Sequence, residues 1–270
     1  MGISIVINTY NAEQHLRECL EAVKDFDEIV VCDMESTDST LDIAREYGCK
    51  IVTFPKANHT CCEPARQFAV QSATNKWVLV VDADEIVTPE LREVLYEKIG
   101  IHNSPNSQGT PANDAAQEHP EAAGFFIPRK NLFMGMYIRD FHDEYVLRFF
   151  IREGSEWPPY IHSLPKIQGR VEKLKAGSRA CMLHLMDETM HEYMEKMNLY
   201  TDNEVEKKRD KGYGVGALLW RPLWRFFKSY VLSGSFRMGT RGLIRSMMAA
   251  YYQFVLVAKI IERRYRQKDI

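Results

Sequence analysis

Two rhythms of apolar residues alternate along the first hundred positions, and that alternation predicts a parallel sheet joined by crossover helices. The runs Ile3 to Asn8, Glu28 to Cys32, Lys50 to Phe54 and Trp77 to Val81 are short and continuous, as strands covered on both faces require. After the first of them Leu16, Cys19, Leu20 and Val23 recur at i, i+3, i+4 and i+7, the stripe of a helix for which Asn11 is the expected cap. Thr37 to Tyr47 is expected to be a second helix, stopped by Gly48. Pro64 suits the first turn of a third, with Ala65, Phe68, Ala69 and Ser72 on its inner side, and Thr88-Pro89-Glu90 opens a fourth around Leu91, Val94 and Leu95.

Beyond residue 100 the rhythm breaks. Ile101 to Ala123 carries Pro105, Pro111 and Pro120, three asparagines and almost nothing large and apolar, the composition of a mobile surface insertion. Gly124 to Arg129, Leu132 to Arg139 and Tyr145 to Ile151 then read as strands of a mixed or antiparallel edge, and Met190, Tyr193, Met194 and Met197 mark a helix that packs on the core.

Charge changes this picture at the C-terminus. The formal net charge of −2 hides an asymmetry, because residues 216–270 hold 11 Lys/Arg against 2 Asp/Glu. Leu219, Leu223, Phe226, Phe227 and Tyr230 fall on one helical face, with Arg221, Arg225 and Lys228 on another. That pairing suits a helix lying in the headgroup region of an anionic bilayer, the alternative being helices that pack on the rest of the chain and show their charge to water. Met247 to Ile261 is about 15 residues and contains Gln253 and Lys259, short of the roughly 20 a bilayer crossing needs, so it is not expected to span. No groove-reading module accompanies the charge, and nucleic acid is not an expected partner. Ile3 to Ile7 lacks a basic flank and is too short for a secretory h-region, and the six cysteines include no C-x-x-C; both features predict a reducing, cytoplasmic setting.

The candidate chemistry sits at strand ends. Asp82-Ala83-Asp84 follows directly on a buried strand, at the edge where open α/β sheets bind ligands, and two acids one residue apart can share a hard divalent cation. Thr9-Tyr10-Asn11 and Asp33 close two further strands facing the same crevice. On spacing alone the acidic pair has other readings, a solvated turn among them. A haloacid-dehalogenase-type phosphatase would use Asp82 as nucleophile, although that residue normally sits on a chain's first strand. A membrane scaffold that binds nucleotide without turning it over is a third reading.

Taken together, Ile3 to Asn11, Asp33 to Thr40 and Asp82-Ala83-Asp84-Glu85 resemble, in order and spacing, the inverting family 2 glycosyltransferases of GT-A fold. The chain looks most like their bacterial lipopolysaccharide-core β-glucosyltransferase-like branch, over about residues 3–200. The resemblance implies an α/β fold, a mixed Rossmann-like sheet flanked by helices, with a C-terminal amphipathic helical extension. It implies a nucleotide-sugar half at 1–100, the insertion at 101–123, an acceptor half at 124–212 and a basic membrane-association region at 213–270.

The resemblance also implies roles. Thr9, Tyr10 and Asn11 would line the nucleotide pocket, Asp33 would meet the base or ribose, Arg66 would lie near the donor, and Asp82 would face the ribose or donor sugar. Asp84, with Asp82, would hold Mg²⁺ or Mn²⁺, and His162 or His184 would complete that shell or touch the diphosphate. Arg148 would pair with Glu144 or reach the phosphates. The general base is expected to be Glu144, with Asp143 second, because both lie just ahead of a strand that should return to the crevice; relatives often carry aspartate four residues before the arginine that precedes Leu-Phe, where this chain has Glu144. Relatives commonly have glycine where Glu35 stands and Val-His-Glu where this chain has Ile161-His162-Ser163. The implied reaction is metal-dependent transfer of a hexose, with UDP-glucose as expected donor, to a lipopolysaccharide-core or lipid-linked saccharide at the inner face of the plasma membrane.

Overall fold

The computed structural model describes residues 2–57, 59, 62–100, 122–138, 144–159, 163–175, 177, 179–185, 189–208 and 211–268. The expected insertion at 101–123 therefore lies almost wholly outside the described residues, as do Asp143 and His162.

The chain separates into two compact units, Met1–Lys130 with Glu144–Leu185, and Asn131–Asp143 with Met186–Ile270. The first is built on a sheet. Strands β1 (Ile3–Thr9), β2 (Glu28–Asp33), β3 (Lys50–Thr53) and β4 (Trp77–Asp82) pair in parallel in the order β3-β2-β1-β4. Next to β4 the direction changes: β8 (Glu144–Ile151) runs antiparallel to it, and β6 (Gly124–Phe133) runs antiparallel to β8. Among the described residues the path then continues through β10 (Met182–His184) to β5 (Glu85–Val87), while β7 (Met136–Tyr137) and β9 (Val171–Lys173) pair with β6 off the path.

Period-two alternation along β1 divides the core. Ile3, Ile5 and Ile7 face one layer with Leu79, Phe149 and the buried stripes of α1 (Glu13–Val23), α2 (Thr40–Glu46) and α4 (Pro89–Lys98). Val6, Val30, Val78 and Phe150 face the opposite layer with Trp157 and α3 (Glu63–Gln71). The stripe Leu16, Cys19, Leu20 and Val23 is buried as the periodicity predicts, and Thr88 caps α4 by accepting from the Leu91 N–H at 3.3 Å.

Local details differ from the sequence reading for physical reasons. Asn11 does not cap α1; Ala12 holds that position, while Asn11 adopts φ +48° and its side chain accepts from the Thr37 N–H at 2.8 Å. The second helix starts at Thr40, because Ser36 to Asp38 are held in a loop by bonds to Asp33, Asn11 and Glu13. On α3 the inner side carries Arg66, 5% exposed, whereas Phe68 is 41% exposed, since the partly buried carboxylate of Asp82 draws the arginine in. The strand expected over Leu132 to Arg139 is two: β6 runs on to Phe133, turns at Met134 and Gly135, both at positive φ, and returns as β7.

The second unit is helical. α5 (Met190–Lys207) begins with a capping box in which Thr189 and Glu192 satisfy each other's backbone N–H groups. α6 (Val215–Phe227) runs into a π-helical turn at Lys228–Leu232 and a 3₁₀ turn at Ser235–Met238, and α7 (Thr240–Lys268) follows. A side chain on Gly242 would collide with the Ser235 carbonyl oxygen, so glycine is what lets this turn close against α7. Thr240–Arg266 is long and apolar enough to cross a membrane by length and composition. Its faces are unlike, however: Ser246, Leu256, Val257 and Ile260 are buried, and Leu243, Met247, Tyr251 and Phe254 are exposed.

Candidate functional site

The parallel strands deliver their polar ends to one edge. Thr9 Oγ1 donates to Asp33 Oδ1 at 2.9 Å, and Ser36 adds its hydroxyl to the same oxygen at 2.6 Å and its N–H to Oδ2 at 2.9 Å. Asp33 is thereby buried, 1% exposed, as the pin of a loop that also fixes Asn11, whose N–H donates to Ser36 Oγ at 2.9 Å. Tyr10 remains half exposed, with Lys56 Nζ 4.5 Å from its ring centroid. Glu35 sits at φ +62°, a left-handed conformation that glycine adopts freely, and its carboxylate accepts from the Lys56 N–H at 3.1 Å.

The end of β4 holds a dense charge cluster. Asp82 Oδ1 accepts from Arg66 Nη2 at 2.8 Å and Oδ2 from Arg148 Nη2 at 2.6 Å. Burial opposes ionisation there, but the guanidiniums of Arg148 and Arg66 outweigh it and hold Asp82 well below the usual carboxylate range. Both arginines also lie over the Trp157 ring, at 5.1 and 5.7 Å. The expected pairing of Arg148 with Glu144 is therefore not what forms: Arg148 goes to Asp82, and Glu144 goes to Arg129 at 3.0 Å. Asp82, expected beside Asp84 in a cation's shell, already receives a charged hydrogen bond on each oxygen.

Asp84 lies 3.2 Å from His184 Nε2 through its Oδ2, and each side chain is about a quarter exposed. Burial favours the neutral imidazole, yet the Asp84 carboxylate outweighs it and raises the His184 pKa. Glu85, fully buried, accepts from the Asp82 N–H at 2.9 Å and from Arg129 Nη1 at 3.3 Å. Burial and the neighbouring Asp82 charge push its pKa upward. Among the described residues no cluster of three or more His, Cys, Asp or Glu has the geometry to hold a metal by itself. The described cysteines are free thiols, and burial pushes that of Cys32 up to about 12.

Three residues of this cluster escape sequence reasoning. Glu85 was visible only as the letter after the acidic pair; Arg129 ends a predicted strand but gains meaning through its cross-strand register with Glu144; Trp157 follows β8 without any periodic signal. Each depends on pairing between segments that are not neighbours in sequence.

Residues 4–150 match the family description Glycosyl transferase family 2, more than half of the chain. The chain belongs to this family. The family 2 glycosyltransferase is 28% identical over 277 residues to the lipopolysaccharide core biosynthesis glycosyltransferase LpsC of Rhizobium meliloti (strain 1021), covering 97% of this chain and 93% of that protein. It is 23% identical over 271 residues to an uncharacterized glycosyltransferase of Rickettsia felis, covering 99% and 92%. Among solved structures, S. aureus TarS 1-349 in complex with UDP-GlcNAc matches at a TM-score of 0.50 and 16% identity, covering 99% of this chain and 92% of that one. The expected GT-A fold, a mixed sheet flanked by helices, is the fold this glycosyltransferase has.

Proposed function

We propose that this glycosyltransferase transfers a hexose, glucose from UDP-glucose, with inversion at the anomeric carbon, to a lipopolysaccharide-core or lipid-linked saccharide. The observation that carries the reading is the juxtaposition, at the ends of β4, β8 and β10, of an acid–imidazole pair, an arginine-clamped aspartate and an accessible glutamate. The similarity to LpsC supports the acceptor class, and the UDP-GlcNAc complex of TarS supports a UDP-sugar donor.

The residues present fit a divalent cation. Asp84 and His184, whose Oδ2 and Nε2 lie 3.2 Å apart, are the residues that would hold it, the imidazole giving up its proton to do so. An imidazole among the ligands would favour Mn²⁺ over Mg²⁺. When bound, the cation supplies stabilisation of the negative charge that develops on the leaving phosphate. Thr9, Tyr10 and Asn11, with the Asp33 loop, are assigned to the nucleoside, and the Arg66–Asp82–Arg148 clamp to the donor side of the crevice. Glu144 is assigned the proton of the acceptor hydroxyl: its carboxylate takes that proton as the oxygen bonds to carbon one, while the bond to the nucleoside diphosphate breaks with its electron pair.

The tail is assigned to an anionic bilayer on the cytoplasmic side. Val215, Leu219, Trp220, Leu223 and Trp224 of α6 are 46–70% exposed, with Arg225 and Lys228 beside them. Arg221, expected on the cationic face, instead donates to Gln253 at 2.9 Å, and Phe226 and Tyr230 are only partly exposed. The two-faced character of α7 favours a helix lying at the interface over one surrounded by lipid.

Transfer from radiolabelled UDP-glucose to extracted lipopolysaccharide core, with and without Mn²⁺, tests the assignment. Asp84→Ala should lower transfer by at least about 100-fold, the scale of losing one group that stabilises transition-state charge. Full activity in that variant, or no UDP-sugar raising the thermal midpoint in Mn²⁺, would overturn the reading.

A further inference from the structure

We infer that Arg129 is a positioning residue for glycosyl transfer, holding Glu144 in register with the acidic segment that follows β4. The inference rests on the reading of Glu144 as general base and adds the means by which that base is held.

Glu144 is the first residue of β8, and its side chain is 46% exposed. A general base has to meet one hydroxyl proton in one geometry, so a half-exposed glutamate has to be held to serve as one. Arg129 stands directly opposite it in the β6–β8 ladder and donates to it through Nη2 at 3.0 Å. The other end of the fork is anchored: Nη1 donates to Glu85, which has no exposed surface. Glu85 in turn accepts the backbone N–H of Asp82, and Asp82 is gripped by Arg66 and Arg148.

A series of hydrogen bonds, passing through the backbone of Asp82, thus links the donor-side clamp to the acceptor-side carboxylate. Only a planar guanidinium can bridge Glu85 and Glu144 with two separate nitrogens; a lysine ammonium is a point charge on a flexible stem. Arg129 also supplies positive charge to a buried carboxylate that already lies near Asp82. An arginine needed only for that charge would matter to folding and leave the rate of a folded enzyme unchanged. One that aims the base would alter turnover specifically.

A double-mutant cycle on the full chain separates these cases: Arg129→Ala, Arg129→Lys, Glu144→Gln and the Arg129→Ala/Glu144→Gln pair, each read as kcat, donor KM and UDP-glucose affinity by calorimetry. A base displaced by about 1 Å costs on the order of 100-fold, so Arg129→Ala should lower kcat about 10- to 100-fold with donor affinity within about twofold. The double variant should be no slower than Glu144→Gln alone, because an arginine that acts through the base has nothing left to position. Arg129→Lys should recover part of the loss, and it carries the cycle if the alanine variant does not fold. Normal kcat in both folded Arg129 variants beside a slow Glu144→Gln overturns the positioning role and leaves the base in place. Losses that multiply in the double variant also overturn it. Normal turnover in Glu144→Gln overturns the base assignment itself, and the inference with it.

Discussion

In the sheet unit Glu85, Arg66 and Arg148 are drawn beneath the surface and tied to a partly buried Asp82, while in the helical unit Trp220, Trp224, Leu219 and Leu223 stand exposed. One region buries charge, the other displays apolar surface, and both reverse what folding alone favours. Removing charges from water is costly unless every oxygen and nitrogen finds a partner, so a buried ion cluster implies that something other than stability selected it. An exposed aromatic ladder, with Trp220 and Trp224 ring centroids 6.1 Å apart and Trp224 and Phe227 5.9 Å apart, implies the same of a surface. The lesson is that function is found where each unit departs from the economical arrangement, and the departures have opposite signs.

The comparison breaks most easily at Asp82. Replacement by alanine leaves two guanidiniums facing each other without their carboxylate, and unfolding free energy in urea should fall by about 3–5 kcal/mol. A loss below about 1 kcal/mol would mean that the cluster is solvated and that the contrast between the units is false. On the other side, Trp220→Ser with Trp224→Ser should leave the urea midpoint unchanged while partition onto anionic vesicles falls at least about tenfold, since a large apolar side chain gains about 1.5–3 kcal/mol on leaving water. A destabilised protein with unchanged vesicle binding would move these residues into the fold and out of the interface. The smallest effect is expected at Glu35→Gly: relief of a left-handed conformation, about 1–2 kcal/mol, is set against loss of the bond to the Lys56 N–H, so the net change should stay within about 1 kcal/mol. A loss well beyond that would show that Glu35 is held by more than its loop.

How much of this was legible in the sequence follows the same divide. The parallel half was readable because each strand and helix is a local pattern: β1 is buried at all seven positions and α1 carries its predicted stripe. Thr9, Asp33 and Asp82 were visible as polar residues terminating such runs. What was not legible is which charge meets which. Arg148 was expected at Glu144, four residues away, or at the phosphates, but side chains four apart on a strand share a face about two repeats distant, whereas from adjoining strands Asp82 comes within hydrogen-bond reach of Arg148 and Arg129 within reach of Glu144. The expected cap failed likewise, because Asn11 accepts from the Thr37 N–H 26 residues away in preference to capping its own helix. In the tail Leu219, Leu223 and Phe227 stand exposed as the periodicity implied, but Phe226 and Tyr230 are partly covered and Arg221 turns to Gln253, since one helix cannot announce which of its faces a second helix will cover.

The change of strand direction beside β4 has a consequence for how such enzymes diversify. Under the proposed function the donor-handling loops would belong to the parallel half and the opposing carboxylate to β8, so new acceptors would be accommodated by remodelling one side of the seam without disturbing the other. The seam is not free, however: β8 also brings Arg148 to Asp82, and any transplanted strand must carry that cation or forfeit the junction.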